Sequence, residues 1–215
     1  MTIGMPRIDR LPADERGLTI GDFLVPIRVS ERMHTRARHI ALVLIGVLLI
    51  TIGAQIYFYV PGNPVPYTFQ TFGVLLSAGA LGFRRGIAAS GIYLLLGAIG
   101  FGVFAGGRHG VDVLLGATGG YLVGFVIASA IVGRLAELGW DRTMPGAIGA
   151  MLFGSLAIYA VGVPWLAYVA FDGNLGTAYE QGMATFLWWD AMKLALAAAA
   201  FPAAWWFVGR RPGDR

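Results

Sequence analysis

Asp190 and Lys193 are an acid and a base set three positions apart in the long apolar run from Met183 to Val208, and Lys193 is the only lysine of the chain. Left unpaired at the middle of a bilayer, each would cost about 2.5 to 3.5 kcal/mol. The i, i+3 spacing puts both on one helix face, where they neutralise each other or together face a polar ligand. Counted from Met183 at the helical rise of ~1.5 Å per residue, Asp190 lies roughly 10 Å and Lys193 roughly 15 Å below the outer boundary, the depth of an outward-opening cavity. Two readings follow. One is a structural ion pair locking this span to its neighbours, and the other is a ligand site, the usual meaning of an intramembrane charge.

A second constellation is Val103-Phe104-Ala105-Gly106-Gly107-Arg108-His109-Gly110. Adjacent Gly106 and Gly107 let backbone N–H groups converge on an anion or carbonyl, and Arg108 beside them can grip a carboxylate. The same residues also suit a tight loop with a solvated arginine. Tyr121, after Thr118-Gly119-Gly120, opens another apolar run, where small residues commonly serve close helix packing. Gln55 and Gln70 suit bonds across helices as well as contact with a ligand, and Trp188 and Trp189 suit an interfacial belt as well as a pocket wall. His34, His39 and His109 lack ligand spacing, so no metal site is expected. No cysteine is present, which removes thiol catalysis and disulfides. A phosphate loop needs lysine followed by Ser or Thr, whereas Lys193 precedes Leu194, so the chain is not expected to energise transport with ATP itself.

The elements that hold these residues follow from composition. Of 215 residues 57% are hydrophobic and 13% charged, about half the charged share of a soluble domain, so the expected solvent is a bilayer. Apolar runs delimit six spans of about 15 to 26 residues, against roughly 20 for a membrane-crossing helix. They are Ile40–Val60, Phe69–Phe83, Ile87–Phe101, Tyr121–Leu135, Gly146–Phe171 and Met183–Val208, broken at Pro61–Pro66, Arg84–Gly86, Gly102–Gly120, Glu137–Pro145 and Asp172–Gln181. The expected fold is thus an all-α polytopic membrane protein with about six transmembrane helices in one bundle. Residues 1–39 read as a cytoplasmic extension with a short surface-lying segment around Ile20 to Ile27, residues 40–208 as the membrane domain, and residues 209–215 as a cytoplasmic tail. Seven arginines precede the first span, and the rest are Arg84, Arg85, Arg108, Arg134, Arg142, Arg210, Arg211 and Arg215. With both termini inside, Arg108 alone falls outside. The formal charge of +4 therefore serves orientation rather than nucleic acid.

The run Pro64-Val65-Pro66-Tyr67-Thr68-Phe69-Gln70-Thr71 with Val74-Leu75-Leu76 and Leu81-Gly82 resembles a signature of the BioY family, the biotin-specific substrate-binding components of energy-coupling-factor (ECF) transporters. Further matches follow in order: Tyr93 to Gly100 with Val103 to Gly107, Gly116 to Leu122 with Gly124-Phe125, and Asp190 with Lys193. The resemblance covers about Ile40 to Val208. It departs at Gly102 and Ala117, where the family often has proline, and at Trp188-Trp189, where proline and glycine are usual. It implies capture of biotin as the transported ligand, with no cofactor, in a bacterial cytoplasmic (inner) membrane. It further implies as partners a membrane coupling protein and two ATPase subunits. Biotin offers two ureido N–H donors, a ureido carbonyl, an apolar bicycle and a carboxylate. Asp190 suits the ureido donors, Lys193 and Arg108 are the available cations, and Phe104, Tyr121 and Trp189 are wall candidates, with Gly106, Gly107 and Gln70 completing the site. Lys193 could instead orient Asp190. Ala37 and Ala41, spaced i, i+4 at the inner end of the first span, form a small-residue face suited to partner docking.

Rival readings are a binding component for another small vitamin or carboxylate, an intramembrane enzyme using the acid and base, and a pore or purely structural subunit, which predicts no saturable ligand binding. The enzyme lacks a nucleophile constellation or metal set. The arginine asymmetry predicts orientation directly. Single cysteines introduced beside Arg84 or Arg142 should label only from the cytoplasmic side, and one near Gly107 only from outside. Exclusive cytoplasmic labelling near Gly107 would overturn the topology.

Overall fold

A chain in hydrocarbon has no water to satisfy its N–H and C=O groups, so its apolar runs must close their hydrogen bonds locally as helices. The computed structural model describes residues 19–24 and 35–207. In chain order these form α1 (Gly21–Leu24), α2 (Thr35–Gln55), β1 (Tyr57–Phe58), β2 (Tyr67–Thr68), α3 (Gln70–Leu81), α4 (Phe83–Ala98), α5 (Val111–Leu115), α6 (Gly119–Glu137), α7 (Met144–Ala170), α8 (Leu175–Gly182) and α9 (Leu187–Phe207). Six of these helices, α2, α3, α4, α6, α7 and α9, have twelve or more residues and match the six expected apolar runs. Among the described residues four segments, Arg36–Gln55, Gly119–Glu137, Met144–Ala170 and Leu175–Trp206, are long and apolar enough to cross a membrane.

The shortest of the six is the innermost. Helix α3 has twelve residues, which at ~1.5 Å each span well under the ~30 Å hydrocarbon core. Eight of the twelve, Gly73, Val74 and Ala78 among them, are buried, and the helix packs against α2, α4 and α6. Irregular backbone at membrane depth is tolerated where protein surrounds it, so α3 can stop short of the outer surface. Outward, α2 presents Ile40, Leu44, Leu48 and Ile52, all half-exposed or more, in a stripe at i+4 spacing. Helices α6 and α7 form the most extensive contact, based on glycines. A Cβ on Gly124 would lie 2.9 Å from Ile158 Cα, and one on Gly120 would collide with Trp165. This is the close packing that small residues allow between membrane helices. Ser90 and Ser129 bond across α4 and α6 at 2.6 Å, both buried.

Several boundaries differ from the apolar runs. Helix α2 ends at Gln55 rather than Val60, because Tyr57 and Phe58 pair antiparallel with Thr68 and Tyr67. Arg84 and Arg85 lie in the first turn of α4 rather than in a loop, because Gly82 alone makes the turn between α3 and α4 at φ 81°, a backbone region that favours glycine. The break at Asp172–Gln181 contains α8, and the last span begins as helix at Leu187, after a short 3₁₀ turn at Ala184–Phe186. Asp190 is therefore in the first turn of α9, nearer its end than counting from Met183 implied.

The arginine-rich end is closed by polar contacts. Of the segment expected to lie on the surface, Ile20 to Ile27, Ile20 is buried, as is the adjacent Thr19, and residues 25–27 lie outside the described residues. Asp22 pairs with Arg85 at 2.7 Å, and Arg38 Nη2 donates to the Asp22 carbonyl at 2.5 Å. Between α6 and α7, Asp141 is buried and accepts from Trp205 Nε1 of α9 at 2.8 Å, while Arg142 lies 4.7 Å from the Trp205 ring centre. Thr143 caps α7 by accepting from Gly146 N.

Burial pushes the Asp141 carboxyl up from 3.8 to about 7, opposed by the Trp205 hydrogen bond and the Arg142 charge. Between those two values the folded chain keeps a proton that the unfolded chain has lost, so this group's contribution to stability falls as pH rises. The slope is at most about 1.4 kcal/mol per pH unit. Asp141→Asn keeps an acceptor for Trp205 and removes the titration. In detergent, its Tm should exceed that of the wild type above pH 7, with the difference shrinking toward pH 4. Parallel Tm curves across that range would refute the assignment.

Candidate functional site

Three connections gather at the end of the bundle opposite the paired arginines Arg84 and Arg85: residues 56–69, 99–118 and 171–186. They roof a cleft whose empty space, counted with the open solvent at its mouth, is about 620 Å³. Asn63 Nδ2 donates to the Gln181 carbonyl at 2.9 Å, and the Tyr67 ring stacks on Phe186 at 4.1 Å. These contacts tie the first connection to the third across the cleft.

At the cleft wall, Asp190 Oδ1 sits 2.5 Å from Lys193 Nζ, and both side chains are nearly buried. Lys193 Nζ also donates to Thr71 Oγ1 at 2.6 Å and to the Thr68 carbonyl at 3.1 Å. An ammonium has three donors, and these three acceptors use all of them. Tyr159 of α7 donates its hydroxyl to the other carboxylate oxygen, Asp190 Oδ2. A carboxylate has about four acceptor positions, so Asp190 keeps room to accept from a ligand. Trp189 Nε1 donates to the same Thr68 carbonyl at 3.2 Å, and its ring meets Phe58 and Phe69 edge-on. Thr68 follows from the sharp end of α3: its carbonyl points into the site because the chain there is strand and turn, not helix.

Across the cleft the 103–108 loop is held from two sides. Gln55 Nε2 donates to the Phe104 carbonyl at 3.0 Å, and Gln55 Oε1 accepts from Gly107 N at 3.2 Å. Tyr93 OH donates to the Val103 carbonyl at 3.0 Å and accepts from Gln70 Nε2 at 2.8 Å. Phe104 packs edge-on to Tyr93 at 5.5 Å. Arg108 Nε donates to the Ala105 carbonyl at 3.2 Å, and Arg108 makes no ion pair with any described residue.

Of the residues singled out above, Asp190, Lys193, Arg108, Phe104, Tyr121 and Gln70 all line the cleft. Gly106, Gly107 and Trp189 do not line it; the two glycines shape the loop at φ 73° and 71°, and Trp189 braces the hairpin. Gln55 bonds backbone across helices. Tyr121 lines the cleft and also donates to the Gly182 carbonyl at 2.9 Å. Sequence reasoning missed Tyr159, Thr68, Thr71, Val65, Phe125 and Phe186, which line the cleft too. Tyr159 carried one weak signal, a hydroxyl midway along an apolar run. Among the described residues no group of three His, Asp, Glu or Cys side chains could hold a metal ion.

The arrangement offers a fixed carboxylate acceptor at one wall, an arginine at the other and aromatic or aliphatic surface between. It suits a small ligand with donors at one end, an apolar middle and an anionic tail.

The BioY family model matches residues 28–210. The biotin transporter BioY of Thermotoga maritima is 41% identical over 150 residues, covering 70% of this chain and 85% of that protein. The probable biotin transporter BioY of Pyrococcus horikoshii is 38% identical over 163 residues, covering 75% and 93%. The crystal structure of the S-component for biotin from an ECF-type ABC transporter superposes with a TM-score of 0.71 at 24% identity, over 80% of this chain and 93% of that one.

Proposed function

The chain belongs to the BioY family, a family of multi-pass membrane transport proteins, and from that premise we propose that it captures biotin from the outer side of a bacterial cytoplasmic membrane. The observation that carries this reading is the Asp190 carboxylate, held by Lys193 and Tyr159 in a cleft with Arg108 on the far wall. Asp190 accepts from the ureido N–H groups, the bicycle lies against Phe104 and Tyr121, and Arg108 meets the carboxylate. Lys193 fixes Asp190 rather than gripping the acid, since its three donors already have acceptors.

The ECF reading adds a coupling protein and two ATPase subunits as partners, which would supply the ATP hydrolysis. Ala37 is exposed and Ala41 half-exposed at the inner end of α2, where a partner helix could approach closely. Ala41→Trp should reduce co-purification with the coupling subunits and leave biotin affinity unchanged. Unaltered recovery of the complex would remove this face from the docking surface.

Asp190→Asn should weaken biotin binding by roughly 1.5 to 3 kcal/mol, the worth of a hydrogen bond to a charged group. Tyr159→Phe should weaken it by about 0.5 to 1.5 kcal/mol with folding retained, since Asp190 keeps Lys193. Lys193→Met leaves Asp190 without its cation and should cost stability as well as affinity. The double variant Asp190→Asn with Lys193→Met separates a site from a structural pair: folding should recover because both charges are gone, and binding should not. Near-normal biotin affinity of that double variant in titration calorimetry would sink the proposed site. A thermal shift with another vitamin but not with biotin would favour the second reading, a related carrier of different specificity.

A further inference from the structure

A second cavity adjoins the first at its mouth. Arg108, Val113 and Thr118 line both, and the outer cavity, which is open to solvent, adds Pro64, Asp112, Gly116 and Ala117. Arg108 therefore stands on the partition between the two. Among the described residues only its Nε has a partner, which leaves the terminal nitrogens for a ligand. Asp112, on α5, is exposed and pairs with no cation among the described residues. A free acid seated as proposed above would end at Arg108 and leave the outer cavity, with its carboxylate, unused.

We propose that the outer cavity is a subsite for an amine-bearing extension of the ligand, so that the chain also binds biotin joined through an amide to the side chain of free lysine. This rests on the biotin reading of the inner cleft. In the conjugate an amide carbonyl replaces the terminal acid and accepts from Arg108, a guanidinium being able to serve a carbonyl as well as a carboxylate. The lysyl chain passes Val113 and Thr118, and its α-ammonium meets Asp112. The α-carboxylate faces water at the mouth. An exposed pair of this kind adds modest affinity and is weakened by salt.

The test is calorimetric binding of purified full-length chain to three ligands: free biotin, the lysine conjugate, and that conjugate acetylated on its α-amine. The conjugate should bind within about tenfold of biotin, because the amide loses one charge-assisted contact and gains another. Acetylation should weaken it by about threefold to fivefold. Asp112→Asn should lower the ratio of conjugate affinity to free-biotin affinity by the same factor, with no change for the acetylated ligand, and Asp112→Glu should restore the ratio. Retained biotin binding with a conjugate more than about a hundredfold weaker, or a ratio insensitive to Asp112→Asn, overturns the subsite while the inner site stands. Failure of the wild-type chain to bind biotin at all would instead overturn the reading on which the subsite rests.

Discussion

A buried charge must find its partners inside the protein, and the outer half of this bundle is arranged around one that does. Lys193 reaches Asp190, Thr71 Oγ1 and the Thr68 carbonyl, and Asp190 in turn takes the Tyr159 hydroxyl. Removing either charged partner would strand the other in a low-dielectric interior, where the uncompensated cost is several kcal/mol, whereas losing the Tyr159 hydroxyl leaves the pair intact. The network joins α9 to the β2–α3 junction and to α7, three elements far apart in the chain. It explains why the chain breaks helix at Thr68: a helical residue there would spend its carbonyl on its own helix and leave the ammonium short of an acceptor.

The same break creates the cleft. Because α3 begins only at Gln70, the space above its N-terminus is bounded by side chains of the surrounding helices and by loop backbone. The hairpin and the 103–108 loop satisfy their backbone groups through Gln55, Tyr93 and the β1–β2 pair, which is the condition for irregular structure at membrane depth. Rigid support comes from the glycine contacts of α6 and α7. A Cβ at Gly162 would collide with the Tyr121 ring, so the position of that cleft wall depends on a residue with no side chain.

How much of this could be read from residues alone follows from the range of each interaction. The spans were legible because hydrocarbon selects apolar runs directly, and Asp190 with Lys193 stood out because charge inside such a run is rare. Arg108 stood out through the charge asymmetry of the loops. Tyr159 did not, since its partner is 31 residues away and a tyrosine in an apolar run signals no particular contact. Thr68 and Thr71, more than 120 residues from Lys193, were equally silent: hydroxyls and carbonyls of this kind are too common to single out. Helix ends misled for a related reason. Composition alone did not show that Gly82 turns the chain by itself, nor that Tyr57 and Phe58 leave α2 to pair with Tyr67 and Thr68.

The hydrogen bonds of the two cations set them apart. Residue types alone leave both Lys193 and Arg108 as candidates for an acid, with Lys193 able instead to orient Asp190. Saturation of Lys193 narrows that choice, since a carboxylate approaching its ammonium would have to displace Asp190, Thr71 or Thr68 and leave the displaced group unpaired. Arg108 carries no such obligation, because its terminal nitrogens are not engaged by a described residue and its side chain is only partly buried. An anionic group therefore gains most at the mouth and a donor-rich group gains most at the Asp190 wall. A ligand entering from outside with its neutral head first meets both preferences without reorienting. On the proposed reading such a site would select by the order of groups along the molecule as well as by their kind, which a purely apolar cavity could not do.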